Sequence, residues 1–204
     1  MRALVRPPYL FRKLFPGALW RMNKSEKKIY LTFDDGPVPG VTPEALSVLQ
    51  QFNVKATFFC VGNNVQKHPE IFKQIISEGH AVGNHTFGHA DGWNTTTKNY
   101  LKEVQLCSEQ FSSNIFRPPY GRMRKPQRKQ IQRKYKIVLW DVLTYDFDKE
   151  WSGENCLQTA LKYSREGSIV VFHDSEKAKD RMLFALPKFI EEMQGRGFEF
   201  GLLA

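Results

Sequence analysis

Short apolar runs rich in β-branched and aromatic residues alternate along the chain with longer stretches of helical period. The runs predict strands at residues 29–33, 56–60, 81–84, 115–117, 137–140, 168–172 and 198–202. Helices are predicted between them at residues 43–51, 68–77, 97–111, 126–135, 152–163 and 183–193. Thr42 caps the first helix, with Pro43 in its first turn, and Gly79 stops the second. Tyr100, Leu101, Val104 and Phe111 mark the buried face of the third. Strand and helix in repeated succession predict an α/β fold, a distorted (β/α) barrel of seven or so parallel strands. Residues 1–27 have no clean period and are interrupted by Pro7, Pro8 and Pro16. They are read as an irregular basic lead-in packed on a domain of residues 28–204.

In a β/α barrel the βα loops converge at the C-terminal ends of the strands, where the active site lies. Asp34, Asp35, His85, Arg117, Asp141 and His173 each fall at or just past the end of a predicted strand. Successive residues of an extended strand point opposite ways, so adjacent Asp34 and Asp35 are expected to divide their work rather than grip one ion together. His85 and His89 share a face if residues 85–89 form a single helical turn, with Asn84 as its cap. One Asp with two His is an N/O donor set that suits a divalent zinc-like ion and leaves coordination positions open. The histidine pair lacks the internal glutamate of the H-E-x-x-H pattern, so a base has to come from elsewhere, and Asp34 fills that place. Taken singly, Asp-Asp-Gly-Pro reads as an acidic turn and the histidine pair as a chance surface spacing.

Bulk properties narrow the class. At 204 residues, 41% hydrophobic and 25% charged, the chain is large enough to bury one core and requires no second domain. Cys60, Cys107 and Cys156 are widely spaced and read as reduced, buried thiols. No run reaches the roughly 18 apolar residues of a membrane span. The apolar stretches of residues 1–20 are broken by Arg6, Arg12, Lys13 and three prolines, unlike a signal-peptide core. A cytoplasmic or membrane-peripheral location is therefore expected, and a monomer. The net charge of +9 is concentrated: residues 1–28 hold eight basic side chains against Glu26, and residues 122–136 hold eight against none, which leaves the rest of the chain at −6. Such patches attract phosphate-rich surfaces, although a solvated helix face is the plainer reading of the second.

Taken in order, five motifs carry a resemblance. Thr32-Phe33-Asp34-Asp35-Gly36-Pro37, His85-Thr86-x-x-His89, Arg117-Pro118-Pro119-Tyr120, Asp146 and Val171-Phe172-His173-Asp174 resemble the ordered motif set of the polysaccharide deacetylase family, the NodB-homology carbohydrate esterases. The likeness covers roughly residues 28–202. An earlier Arg6-Pro7-Pro8-Tyr9 repeats the third motif's letters, but only Arg117 follows a strand and the histidine pair. The resemblance implies a distorted barrel that removes acetyl groups from N-acetylated sugars. It assigns Asp35, His85 and His89 to one divalent metal ion, zinc foremost with cobalt or nickel as alternatives. Asp34 becomes the catalytic base, Arg117 holds its carboxylate, and His173 is the general acid paired with Asp146. Tyr120 contributes a backbone N–H to an oxyanion, while Phe147 and Val171 form apolar pocket walls.

Two motifs depart from the family's usual pattern. The fourth motif lacks its first aspartate and carries Phe147 in place of Trp, and Val171 stands where Leu is usual. Neither change touches a metal ligand or an acid/base group. The implied partner is an acetylated glycan, peptidoglycan-like or chitin-like, with an anionic membrane or phosphate-bearing glycan surface as a further partner for the basic patches. Nucleic acid is disfavoured, since residues 122–136 show little aromatic interleaving and no RNA-binding signature. The rivals are a catalytically inactive carbohydrate-binding or anionic-surface-binding protein on the same fold, and an iron oxygenase, whose usual H-x-D…H order is absent.

Overall fold

The computed structural model describes residues 5–23 and 26–203. Of the basic lead-in, Arg2 and Lys24 lie outside the described residues. After a short turn of helix α1 (Tyr9–Arg12), the chain enters β1 (Lys28–Asp34) and then alternates α2 (Thr42–Gln51), β2 (Thr57–Cys60), α3 (Gly62–Lys67), α4 (Pro69–Ser77), β3 (Ala81–Asn84), α5 (Thr97–Ser108) and β4 (Ile115–Phe116). A 3-10 turn at Pro119–Gly121 leads to α6 (Lys125–Ile131), β5 (Lys136–Ile137), β6 (Val142–Leu143), α7 (Gly153–Tyr163), β7 (Ile169–His173), α8 (Lys179–Gly195) and β8 (Glu199–Phe200).

The strands form a curled parallel barrel in the order β5-β4-β3-β2-β1-β7-β6, with β8 joined to the start of β1. β1 is central and buried from Ile29 onward, as expected for a parallel strand covered on both faces. Ile29, Leu31 and Phe33 face the helical layer, where they meet Leu46, Leu49, Leu186 and Phe189. On the other face Tyr30 joins Phe59, Ile115, Val138 and Ile169 inside the barrel. Register then fixes the height of the polar residues. Asp34 pairs with Phe59 on one side and His173 on the other, while Asn84 pairs with Phe116. Asp34, His173, His85 and Arg117 therefore emerge at one level, at the C-terminal rim.

β5 and β6 are the two ends of the sheet order, and the lead-in bridges them. Leu19 N–H donates to Ile137 O at 2.8 Å and Leu139 N–H to Leu19 O at 2.7 Å, while Leu143 N–H donates to Val5 O at 3.0 Å. Phe11, Phe15 and Trp20 pack on Met123, Ile131, Ile137 and Leu139 beneath α5 and α6.

One expected rim residue is elsewhere. The predicted strand at 137–140 is divided, so Asp141 precedes β6 instead of ending a strand, and it lies at the opposite end of the barrel beside the start of β7. There it is fully buried, and accepts from Arg12 at 3.0 Å, Arg165 at 3.1 Å and Ser168 at 2.9 Å, with Arg6 at 3.3 Å. Burial opposes ionisation, but the bonds from Arg165 and Ser168 and the charge of Arg6 hold its carboxyl below the ordinary range. Asp141 thus clamps the lead-in to the barrel. All three cysteines are free and buried, and among the described residues no helix is long and apolar enough to cross a membrane.

Candidate active site

β1 ends at Asp34, and the backbone then turns through Asp35 with φ of 84°, which swings the second carboxylate away from the first. Asp34 faces Arg117, whose Nη1 donates to Asp34 Oδ1 at 2.6 Å and to Thr32 Oγ1 at 2.8 Å. The guanidinium is fully buried, lies 4.0 Å over the Phe59 ring and donates through Nη2 to Leu139 O at 3.1 Å. Every direction in which Arg117 could swing is therefore blocked. A charge-assisted bond in such surroundings fixes one orientation of the Asp34 carboxylate.

Asp35 turns instead toward the histidines. Its Oδ1 lies 3.0 Å from His89 Nε2 and 3.8 Å from His85 Nε2, and one donor atom from each of the three residues falls within 4.8 Å of the others. His85 Nδ1 sits 2.8 Å from Arg117 O, an atom that can only accept, so Nδ1 carries the proton and Nε2 presents its lone pair to the cluster. Burial pushes the His85 pKa down to about 4, the charge of His89 adding to the effect, which leaves a neutral imidazole ready to ligate. Burial opposes the Asp35 anion, yet the bond from His89 and the fields of His173 and His85 hold its carboxyl far below the usual range. These three side chains could together hold a divalent metal ion and leave coordination positions open.

The histidine pair reaches this geometry without the predicted helical turn. Residues 85–89 are irregular, and Thr86 (φ 64°) and His89 (φ 57°) both adopt left-handed backbone. Asn84 Oδ1 accepts from Thr86 N–H at 2.9 Å and Thr86 Oγ1 from Ala90 N–H at 3.0 Å, so side chains hold the loop where helical bonds do not.

His173, ending β7, presents Nδ1 to Asp146 Oδ1 at 2.7 Å, while Asp146 Oδ2 accepts its backbone N–H at 2.7 Å. Burial disfavours the imidazolium, but the adjacent Asp146 charge and bond, with Asp35 and Asp34 beyond, raise the pKa to about 9. Nε2 is left for the pocket. Asp174, to which no role was assigned from the sequence, is fully buried under the loop. It accepts from Gly36 N–H at 3.0 Å and from Thr42 at 2.6 Å. Its pKa is pushed up to about 8 by burial, partly offset by Thr42 and reinforced by the Asp35 charge.

Asp34, Asp35, His85, His89 and His173 line one cavity of about 460 Å³, walled by Trp93, Tyr120, Trp140, Leu143, Tyr145 and Phe147, and by Pro7 and Phe11 of the lead-in. The earlier R-P-P-Y string thus supplies Pro7 to the wall, though Arg6 stays on Asp141. The Tyr120 ring meets His89 at a steep angle with ring centres 4.7 Å apart, and Phe147 meets His173 likewise at 4.9 Å. Val171 does not reach the cavity: it is fully buried, and its register partner Leu143 lines the site in its place. Lys177, also unforeseen, reaches Asp35 Oδ2 at 3.2 Å, and Asn64 donates to Asp35 O at 2.8 Å. The adjacency of Asp174 to His173 was a signal for the one; nothing local in the sequence pointed to Lys177.

Comparison with known proteins agrees with this geometry. The polysaccharide deacetylase family model matches residues 21–139. A peptidoglycan-N-acetylglucosamine deacetylase from Bacillus cereus is 32% identical over 191 residues, which cover 89% of this chain and 88% of that protein. A chitooligosaccharide deacetylase from Azorhizobium caulinodans is 31% identical, over 89% of this chain and 95% of that one. Among solved structures, the Bc1960 peptidoglycan N-acetylglucosamine deacetylase in complex with 4-naphthalen-1-yl-N-oxidanyl-benzamide superposes with a TM-score of 0.86 at 30% identity, covering 97% of this chain and 95% of that chain. With the motifs gathered at one barrel rim and likeness of this extent, the chain belongs to the polysaccharide deacetylase family.

Proposed function

We propose that the protein hydrolyses the N-acetyl groups of a glycan of the peptidoglycan or chitin kind, with Asp34 as base and His173 as acid at a metal held by Asp35, His85 and His89. The observation that carries this reading is the convergence, in one cavity, of the Asp35–His85–His89 cluster with two separately tethered acid/base groups. When bound there, a divalent cation such as zinc supplies an acidified water and a Lewis acid for the amide carbonyl.

Asp34 accepts the proton of the attacking water, its carboxylate aimed by Arg117. The water oxygen bonds to the acyl carbon, and the negative charge that gathers on the carbonyl oxygen is met by the backbone N–H of Tyr120. His173 then donates its Nε2 proton to the departing nitrogen as the C–N bond breaks, giving acetate and the free amino sugar. Asp146, buried and bonded to Nδ1, favours the charged ring that this step consumes. The aromatic walls offer flat apolar faces on which sugar rings stack, and Phe147 and Leu143 bound the space beside His173. The N-hydroxyamide in the solved relative is a chelating group, in keeping with a metal at this place.

The test is acetate release from N-acetylglucosamine oligomers and from peptidoglycan, with zinc or cobalt added and then removed by a chelator. Asp34→Asn should lower turnover by at least about a hundredfold while metal content is retained, and His85→Ala should lose both. Wild-type rates in the Asn variant would overturn the assignment of the base. No acetate from any acetylated glycan would favour the inactive, carbohydrate-binding reading.

A further inference from the structure

The three most exposed large apolar side chains among the described residues are Tyr9 (77%), Leu10 (75%) and Leu14 (62%), all on one short stretch of the lead-in. They are not loosely attached. Phe11 and Phe15, interleaved with them, are anchored against Trp20 and the core under α6, so the backbone is held and the outward face is fixed. Arg128 and Gln132 both donate to Pro16 O, at 3.2 and 2.7 Å, which locks this stretch to α6.

That contact joins the apolar face to the second basic patch. Lys125, Lys129 and Arg133 line a groove of about 410 Å³ between α5 and α6, with Thr97, Leu101 and Pro126. Lys134 and Lys136 continue the patch, and Lys13 of the lead-in lies 5.5 Å from the centre of the Tyr9 ring. All six cations are exposed, and none forms an ion pair among the described residues. Elsewhere many surface cations are paired, as with Arg196 and Glu192 or Lys179 and Glu44. Residues 122–136 contain no acid at all. Apolar side chains ringed by unpaired cations are the composition of a surface that rests on an anionic bilayer: the apolar groups enter the interface and the cations meet the headgroups. A soluble anionic polymer would use the cations but leaves Leu10 and Leu14 without a purpose.

We propose that this flank, Tyr9, Leu10 and Leu14 with Lys125, Lys129 and Arg133, is a peripheral docking surface for an anionic lipid bilayer. Because Pro7 and Phe11 of the same lead-in wall the catalytic cavity, docking sets the cavity mouth beside the membrane, where lipid-linked or wall-proximal glycan would be presented. The proposal is independent of acetate release, since its readout is binding.

The full-length protein is sedimented with phosphatidylcholine vesicles, with or without a third of phosphatidylglycerol, at low and high salt. Binding is expected to the anionic vesicles at low salt and to fall as salt rises. Each cation contributes roughly fivefold, so Lys125→Glu, Lys129→Glu and Arg133→Glu together should weaken binding by at least about a hundredfold. Leu10→Ser with Leu14→Ser should weaken it independently of salt. Melting curves show whether the variants are folded, and none of these residues belongs to the catalytic machinery. Equal binding to neutral vesicles, retained binding in the charge-reversed variant, or binding to soluble polyphosphate but not to vesicles would overturn the proposal. So would a dimer that the leucine variant dissolves, without vesicle binding.

Discussion

Replacing Asp146 by Asn removes the charge that sustains the His173 imidazolium while keeping the size of the side chain. Asp146 is fully buried, 2.7 Å from His173 Nδ1, and with its neighbours raises the His173 pKa from 6.5 to about 9 against the opposing effect of burial. A difference of that size corresponds to roughly 3 kcal/mol between the two protonation states. In the variant the His173 backbone N–H still needs the oxygen, so the Asn amide points its NH2 at Nδ1 and favours the neutral ring. Burial persists, so the pKa falls well below the parent's. Above the parent's midpoint the acid is far less protonated in the variant, and roughly 3 kcal/mol corresponds to a loss on the order of a hundredfold in turnover. As pH falls below the parent's midpoint the variant gains protons and the parent no longer does, so the loss should shrink steadily toward acid. A cation at Asp35 lowers the pKa in both proteins through the same field, so the difference survives metal loading. The assay is acetate release across pH 5.5–9.5 with metal saturating, alongside the imidazole proton shifts of His173. A loss of equal size at every pH would mean that Asp146 only positions the ring, and an unchanged profile would remove His173 as the acid.

Two further outcomes follow from buried contacts. Asp141→Ala strands three arginines that are between a quarter and two-fifths exposed, so about 2 kcal/mol and roughly 4–8 °C of melting temperature should be lost at pH 7. The Asp141 pKa is lowered on folding, so its contribution is present above the unfolded value near 4 and disappears as pH falls through the folded one. Melts of parent and variant should therefore converge in acid; a constant gap would refute the ion-pair account. Gly36→Ala would set a Cβ 1.9 Å from Asp174 Oδ2, displacing the carboxyl that holds the loop bearing Asp34 and Asp35. Turnover should fall about a hundredfold, with weaker zinc binding by calorimetry, whereas intact activity would show that the loop tolerates the shift.

Most of the fold and of the candidate site was legible because a parallel barrel writes itself as repeated apolar runs, each delivering its next polar residue to one rim. That rule put Asp34, His85 and His173 at the rim, each at or just past the end of a strand of four or more residues, and Arg117 just past the two-residue β4. It failed for Asp141 because the apolar run at residues 137–140 reads as one strand, whereas β5 ends at Ile137 and β6 begins only at Val142, so Asp141 precedes a strand instead of ending one. The lead-in was legible as basic and irregular, but its pairing with both barrel ends was not: Val5 and Leu19 join through backbone atoms, which carry no side-chain code. Val171 was misplaced for a related reason. The motif fixes its neighbour, His173, at the rim, but a side chain two residues earlier on the same face points inward one layer deeper.

The histidine loop shows a different limit. Among the described residues six non-glycine positions have positive φ, and four of them, Asp35, His89, Tyr120 and Tyr145, line the cavity, while Thr86 lies between the two histidines. Left-handed backbone costs an L-residue on the order of 1 kcal/mol, so these five together withhold several kcal/mol from the fold. Sequence reading expects glycine at such places and finds side chains instead. The backbone is held there by contacts that sequence does not display: Asn84 on Thr86, Asn64 and Asp174 on the Asp35 loop, and Arg117 O on His85. Each of these tethers acts on a residue that lines the cavity or immediately follows one that does. Part of the strain falls where three donor atoms meet within 4.8 Å, at Asp35, at His89 and at Thr86 between the histidines, and a helical turn over residues 85–89, which would relieve it there, is not the backbone that brings Asp35 and the two imidazoles together.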